Sequence, residues 1–164
     1  MDQEVTGRRA GPGRTTVPAR RMKPIDRGEA LRLLGTVSLG RIIFTQHALP
    51  AVRPVNHVVD GESVVVRLHD GGALASLISS PGTPGVVVAY EADVIDPETH
   101  LGWSVVVTGY ATPVVDPEDL ERYARWLHPW ASHTASRALR ITPDLVTGFR
   151  LVAEPPEAMT VGGC

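Results

Sequence analysis

The chain has 164 residues, 43% hydrophobic and 21% charged, which suits one globular domain around a single core. Its apolar runs are too short to cross a bilayer, and no apolar stretch follows the N-terminal arginines as it would in a secretory signal. The only cysteine is Cys164, so an internal disulfide is excluded. We therefore expect a cytoplasmic protein without a membrane partner.

Charge is distributed unevenly along the chain. Residues 1–23 carry six of the 16 basic side chains and two of the 18 acidic ones, so the remainder has a net charge of −6. An acidic body argues against nucleic acid as a partner, because phosphate binding needs a basic face. We predict a disordered basic leader over 1–23, one folded domain over 24–152 and a flexible tail over 153–164.

The first predicted elements are a helix and a meander of strands. Asp26 and Glu29 have the spacing of a capping box, and the apolar stripe that follows ends at Gly35. The pair Asp60 and Gly61 is a strong tight-turn signal between two strands. In this part of the chain, strands are predicted at 37–44, 51–59 and 64–69.

The second half of the chain is also predicted to contain short helices and several strands. After Gly71 and Gly72, leucines at helical spacing predict a short helix, and Asp116 followed by Pro117 predicts the start of another. Strands are expected at 86–94, 103–115, 139–141 and 146–152. Because strands outnumber helices and few carry charges that would protect an exposed edge, the pattern favours a closed β-barrel.

Common catalytic and cofactor motifs are missing from the sequence. It contains no glycine-rich dinucleotide fingerprint, no phosphate-binding loop ending in Gly-Lys-Ser/Thr and no Gly-x-Ser-x-Gly elbow. The six histidines show no paired metal-ligand spacing, so no metal site is predicted.

One unit does point to ligand chemistry, the strand–Gly-Gly–helix segment "VVVRLHDGGALAS". Arg67 and His69 fall on one face of the strand, close to the free amides of the helix that follows. Such a helix start favours an anion, and arginine suits phosphate. The alternative is a surface arginine beside an ordinary turn, and the local residues do not separate the two.

Longer segments carry a family resemblance. "GRIIFTQHALPAVRPVNHVVDGESVVVRLHDGGALAS", "GWSVVVTGYATPVVDPEDLE" and "RITPDLVTGFRL" together resemble the actinobacterial branch of the pyridoxamine 5′-phosphate oxidase-like proteins. The resemblance implies a mainly β fold, a six-stranded antiparallel split β-barrel with short peripheral helices. It also implies a homodimer that binds FMN at the subunit interface and acts on a small molecule.

The resemblance further implies which residues touch the cofactor. The backbone of the segment Pro54, Val55, Asn56 and His57 would hold the isoalloxazine edge. The phosphate would lie on Arg67 and His69 and on the turn at Gly72 and Ala73. Residues Trp103, Ser104 and Trp130 of the other subunit would close the pocket, although packing in the core or the interface explains both tryptophans equally well.

The sequence also departs from its relatives at the phosphate. Relatives often have Thr or Ser at the position of His69 and a lysine at the position of Ala73. Loss of one charged hydrogen bond weakens binding by about 1.5–3 kcal/mol, or roughly 10- to 150-fold. Besides an FMN-dependent oxidoreductase, two alternatives stay open: a split barrel that uses the deazaflavin F420, and a non-enzymatic ligand-binding dimer.

Vitamin B6 oxidation is not expected. The basic and hydroxyl groups that grip the substrate phosphate in pyridoxamine phosphate oxidases have no recognisable counterpart near the C-terminus. Arg137, Arg140 and Arg150 are candidates by residue type only.

Overall fold

The computed structural model describes residues 19–69, 72–78, 85–127 and 136–154, and within them the chain forms seven strands and three short helices. In chain order these are β1 (Arg20–Pro24), α1 (Arg27–Leu34), β2 (Leu39–Gln46), β3 (Leu49–Asp60), β4 (Ser63–His69), α2 (Ala73–Ile78), β5 (Val86–Ile95), β6 (Gly102–Pro113), α3 (Pro117–Trp126) and β7 (Ser136–Ala153). None of these helices is long and apolar enough to cross a membrane.

Strands β2 to β7 close into a ring in the order β7-β4-β3-β2-β5-β6, and β6 pairs with β7 to complete it. Every pairing is antiparallel. The predicted six-stranded antiparallel barrel with short helices is thus confirmed. Strand β1 lies outside the ring and extends the sheet from β7.

The structure differs from the prediction at the ends of the domain. Strand β1 begins at Arg20, inside the segment predicted to be a disordered leader, because it pairs with the last residues of β7 from Arg20–Ala153 to Pro24–Phe149. The two segments predicted near the C-terminus form one strand of 18 residues. Residues 1–18 and 155–164 lie outside the described part of the chain. The predictions of a disordered leader and a flexible tail fall on these residues.

Alternation of side chains along the strands separates an inner core from an outer face. On β4, Val64, Val66 and Leu68 point into the barrel, whereas Val65 belongs to a second cluster outside it. Helix α1 adds four buried apolar side chains to the inner core. Its predicted N-cap is confirmed, since the Asp26 side chain accepts a hydrogen bond of 2.8 Å from the Glu29 amide.

A polar pair lies within the apolar interior of the barrel. The His57 side chain is 1% exposed, and its two ring nitrogens lie 2.9 Å from the Leu34 carbonyl and 2.6 Å from the Tyr90 hydroxyl. Because a carbonyl can only accept, Nε2 of His57 donates to Leu34 and Nδ1 accepts from Tyr90. Gly40 makes room for this arrangement, since a Cβ atom there would overlap the Tyr90 hydroxyl.

Helix α3 packs on the outside of the barrel, over β3, β4 and β7. Its Tyr123 and the following Leu127 are buried against a small apolar cluster that includes Val65 and Ala138. Asp116 caps its first turn, with the side chain accepting from the Glu118 and Asp119 amides at 2.9 and 3.1 Å. The helix therefore covers the outer face on which Arg67 lies.

Candidate functional site

Arg67 lies on the outer face of β4, two residues after Val65 and on the same side. One terminal nitrogen donates a 2.7 Å hydrogen bond to the Leu127 carbonyl, at the end of α3. Its Nε is buried and has no hydrogen-bond partner among the residues that the structure describes. A buried N–H without an acceptor is unfavourable by about 1–3 kcal/mol, so this guanidinium is a ready donor for an incoming anion.

The neighbourhood of Arg67 differs from the one predicted. The sequence placed Arg67 beside the start of α2, whereas the structure directs it to the C-terminal end of α3, where the helix dipole favours a cation. Gly72 is exposed, and its carbonyl accepts a 3.2 Å hydrogen bond from the Ser76 amide. Ala73 is the first residue of α2, but its side chain and that of His69 fall outside the described part of the structure.

A cavity of about 230 Å³ adjoins Arg67 under α3. Its walls combine a second arginine with the apolar underside of the helix and are formed by Arg67, Leu120, Tyr123, Ala124, Leu127, Arg137 and Ala138. Two guanidinium groups at one small cavity favour an anionic ligand, because arginine forms forked hydrogen bonds to phosphate and carboxylate oxygens.

The predicted isoalloxazine segment lies next to this arginine, at an opening in the barrel wall. The ladder between β3 and β4 runs from Asp60–Ser63 to His57–Val66 and ends there. Strand β3 continues toward its N-terminal end along β2, with no other partner among the described strands. Pro54 and Asn56 are on the outer side, exposed and half-buried respectively, so Arg67 and the predicted backbone segment border the same opening.

The side chains of this segment divide between the two faces. Val55 packs against the inner core and His57 is buried within it, so neither side chain faces the opening. Burial lowers the pKa of His57 below its usual value, and burial likewise raises the pKa of Tyr90. His57 is therefore a neutral structural residue whose contribution to any ligand comes through its backbone.

The structure places Trp103 in the core, one of the alternatives that the sequence left open for it. Its side chain is 7% exposed and belongs to the inner core, because inward and outward positions alternate along β6. The adjacent Ser104 lies on the outer face and is half-buried. Ser104 can therefore face a second subunit, whereas the Trp103 side chain cannot. Trp130 lies outside the described residues.

Sequence reasoning missed a polar network that fixes α3. Tyr123 donates to the Asp60 carboxylate and accepts from Arg140 at 2.9 Å. Arg122 contacts Asp60 and Asp119 at 2.8 Å each, and Arg140 also reaches Asp119 at 2.8 Å. Tyr123 and Asp119 raise the pKa of Arg140. Asp60 was seen in the sequence only as a turn residue, and nothing in the local pattern indicates its partners on α3.

Two of the candidate substrate arginines thus have structural roles. Arg140 is held by Asp119 and Tyr123, and Arg150 forms a two-point contact with Glu29 at 2.8 and 2.7 Å, which joins β7 to α1. Among the described residues, no group of three or more His, Cys, Asp or Glu side chains could hold a metal ion.

Comparison with known proteins agrees with this architecture. Residues 26–150 match the family described as pyridoxamine 5′-phosphate oxidase. An uncharacterised protein of Mycobacterium tuberculosis is 49% identical over 136 residues, which cover 83% of this chain and 90% of that protein.

Two solved structures with the same fold are also similar to this chain in sequence. The first is an FAD-binding protein from Mycobacterium smegmatis, 34% identical, covering 78% of this chain and 98% of the other, with a TM-score of 0.63. The second is a candidate pyridoxamine 5′-phosphate oxidase from Corynebacterium glutamicum, 29% identical, covering 82% and 100%, with a TM-score of 0.66. By its sequence and its barrel, the chain belongs to the pyridoxamine 5′-phosphate oxidase family of split-barrel proteins.

Proposed function

We propose that this protein is a flavin-binding oxidoreductase that acts on a small molecule, with the flavin phosphate on Arg67 and the flavin ring beside the segment Pro54–His57. The observation that carries the proposal is the buried Nε of Arg67 at the opening between β3 and β4, which has no partner within 19–69, 72–78, 85–127 and 136–154. FMN is the first cofactor to test. FAD is the second, since the M. smegmatis relative is named as an FAD-binding protein.

In this proposal the chain positions the cofactor and excludes water. Arg67 holds the phosphate, and the backbone of the strand before His57 lies along the ring edge. The bound flavin supplies the redox chemistry. His57, neutral and enclosed by Leu34 and Tyr90, keeps that strand in place and does not exchange protons with a substrate.

The first prediction concerns the phosphate ligand. Replacing Arg67 with glutamine should weaken flavin binding by roughly 10- to 150-fold, because one charged hydrogen-bonding group is lost. Titration of FMN, FAD and F420 against the purified protein, followed by flavin fluorescence, measures the effect.

Arg32→Gln, which changes an exposed arginine at the end of α1, is the matched control and should bind as the parent does. A melting curve separates lost binding from lost folding. Equal flavin affinity in Arg67→Gln and the parent would refute the site. Tighter binding of F420 than of either flavin would favour the deazaflavin alternative, which the alanine at position 73 motivates.

We also propose that the protein is a homodimer, paired through the outer face of the barrel. A row of mostly apolar residues crosses five neighbouring strands in register, formed by Val52, Ile43, Ala89, Thr108 and Leu145. Val52 and Leu145 are exposed, at 48% and 58%. Continuous apolar surface of this kind is typical of a protein interface. A second subunit on this face would cover that surface.

The second prediction tests that face. Val87 lies beside this row, is 58% exposed and pairs with the exposed Tyr110. Val87→Glu should convert the dimer to a monomer without changing the melting curve of the isolated barrel, since the side chain makes no core contact. Light scattering during size-exclusion chromatography gives the mass. Met22→Glu, 62% exposed on β1, is the control. A parent protein that is monomeric, or a Val87→Glu dimer, would contradict this interface.

A further inference from the structure

A second, larger depression has His57, Val58 and Val59 of β3 in its lining. Its volume is about 950 Å³, at the upper end of the 300–1,000 Å³ range of small-molecule sites. It is bounded by the loop after α1, by β3, by β5 and by the end of α3. We call it the Trp126 groove; its lining includes Ser38, Val58, Val59, Asp93, Arg125 and Trp126.

Trp126 is an exposed aromatic ring held rigidly at the edge of this groove. The guanidinium carbon of Arg122 lies 5.5 Å from the indole centroid, and the Tyr123 ring meets the indole edge-on at 6.1 Å. Arg122 is itself fixed by Asp60 and Asp119. Trp126 nevertheless remains 49% exposed. One face of the indole is thus supported by a cation, and the rest of it borders the groove.

The charged residues of the groove stand on different walls. Asp93, on β5, is paired with Arg41 at 3.0 Å and presents carboxylate oxygens that accept hydrogen bonds. Arg125, on α3, makes a long 3.7 Å contact with Glu121, and both side chains are largely exposed. A ligand that offers hydroxyl or amino donors at one part and a phosphate at another matches this distribution.

The groove is also close to the proposed flavin site. Leu127, whose carbonyl holds Arg67, directly follows Trp126 and Arg125 in the chain. The last turn of α3 therefore separates the phosphate-binding arginine from the aromatic edge of the groove. A ligand extending past this turn could touch both places.

We propose that the Trp126 groove binds the adenosine diphosphate group of a dinucleotide, with the adenine stacked on Trp126, the ribose hydroxyls on Asp93 and the phosphate next to the adenosine toward Arg125. Aromatic side chains stack on nucleobases because both present flat π-faces. The inference rests on the proposed function in one respect: the dinucleotide is either FAD itself or the nicotinamide dinucleotide that reduces the bound flavin.

The direct test uses ADP alone as the probe, in calorimetric titrations of the parent protein and of variants. Trp126→Ala should weaken ADP binding by about 5- to 150-fold, and Trp126→Phe should retain most of the affinity because it keeps an aromatic face. Val115→Ala, on an exposed residue outside the groove, is the control. Failure of ADP to bind the parent, or equal affinity in Trp126→Ala, would overturn the proposal.

Two further measurements identify the source of the group. If it belongs to FAD, Trp126→Ala weakens FAD binding and leaves FMN binding unchanged. If it belongs to a nicotinamide dinucleotide, the variant binds both flavins normally but shows a higher KM for NADH at an unchanged kcat. If the protein binds ADP through Trp126 but binds no flavin, the ADP site is supported and the proposed function is refuted. If it binds flavin through Arg67 but does not bind ADP, the proposed function is supported and the ADP site is refuted.

Discussion

Tyr123→Ala is expected to lower the free energy of unfolding by about 3–5 kcal/mol, the usual cost of truncating a buried aromatic side chain. Tyr123 is 1% exposed and fills the apolar cluster under α3 together with Val65 and Leu127. Its hydroxyl also links Asp60 on β3 to Arg140 on β7. Urea denaturation followed by circular dichroism measures the loss.

Tyr123→Phe separates the ring from the hydroxyl. It retains the packing but leaves the Asp60 carboxylate with one donor fewer, so a smaller loss of about 1–3 kcal/mol is expected. Trp126→Phe, on the exposed side of the same helix, should change stability little. A Tyr123→Ala protein as stable as the parent would show that α3 is held by other contacts. In Tyr123→Ala, flavin binding should weaken together with stability, because α3 supplies the Leu127 carbonyl that orients Arg67.

His57→Ala is expected to be comparably destabilising, by about 3–5 kcal/mol, since it opens a space in the inner core and removes a hydrogen bond from each of two buried polar groups. The Tyr90 hydroxyl would lose its acceptor, and the Leu34 carbonyl would keep the longer 3.4 Å hydrogen bond from the Val37 amide. Tyr90→Phe, which leaves only Nδ1 of His57 unpartnered, should cost about 1–3 kcal/mol.

The same histidine gives stability a definite pH dependence. Burial lowers the pKa of His57 in the folded protein, so below about pH 6.5 the unfolded chain binds a proton that the folded one does not. Stability should therefore fall as the pH drops below about 6.5, by up to about 1.4 kcal/mol per pH unit. Denaturation at several pH values tests this. His57→Gln should flatten the slope, whereas His100→Gln, in an exposed loop, should not.

The barrel was predictable because its signals are local and repeat. Alternation on β5 and the turn at Asp60 and Gly61 place the strands, and the capping residues Asp26 and Asp116 mark two helix starts where the structure has them. Strand β1 was not predictable from its own residues. Its sequence is basic and its strand conformation comes from pairing with β7, 125 to 133 residues further on.

The site was predictable only in outline. Arg67 was found because it precedes a Gly-Gly turn, yet its actual partner, the Leu127 carbonyl, lies 60 residues away. The sequence left the role of Trp103 open because a tryptophan on a strand gives no indication of which face is inside until the register is known. Trp126 attracted no attention in the sequence, since its support by Arg122 and its place at a groove arise only from how α3 docks.

Strand β7 has a consequence for how the chain reaches this structure. Its 18 residues pair with β4 through residues 136–141 and with β6 through residues 139–151, so this one strand closes the ring. Until it arrives, β4 and β6 present open edges, the feature that makes partly folded β-proteins associate. On the ribosome the barrel can close only after this last described strand has emerged, and such distant pairings make folding slow for a domain of this size.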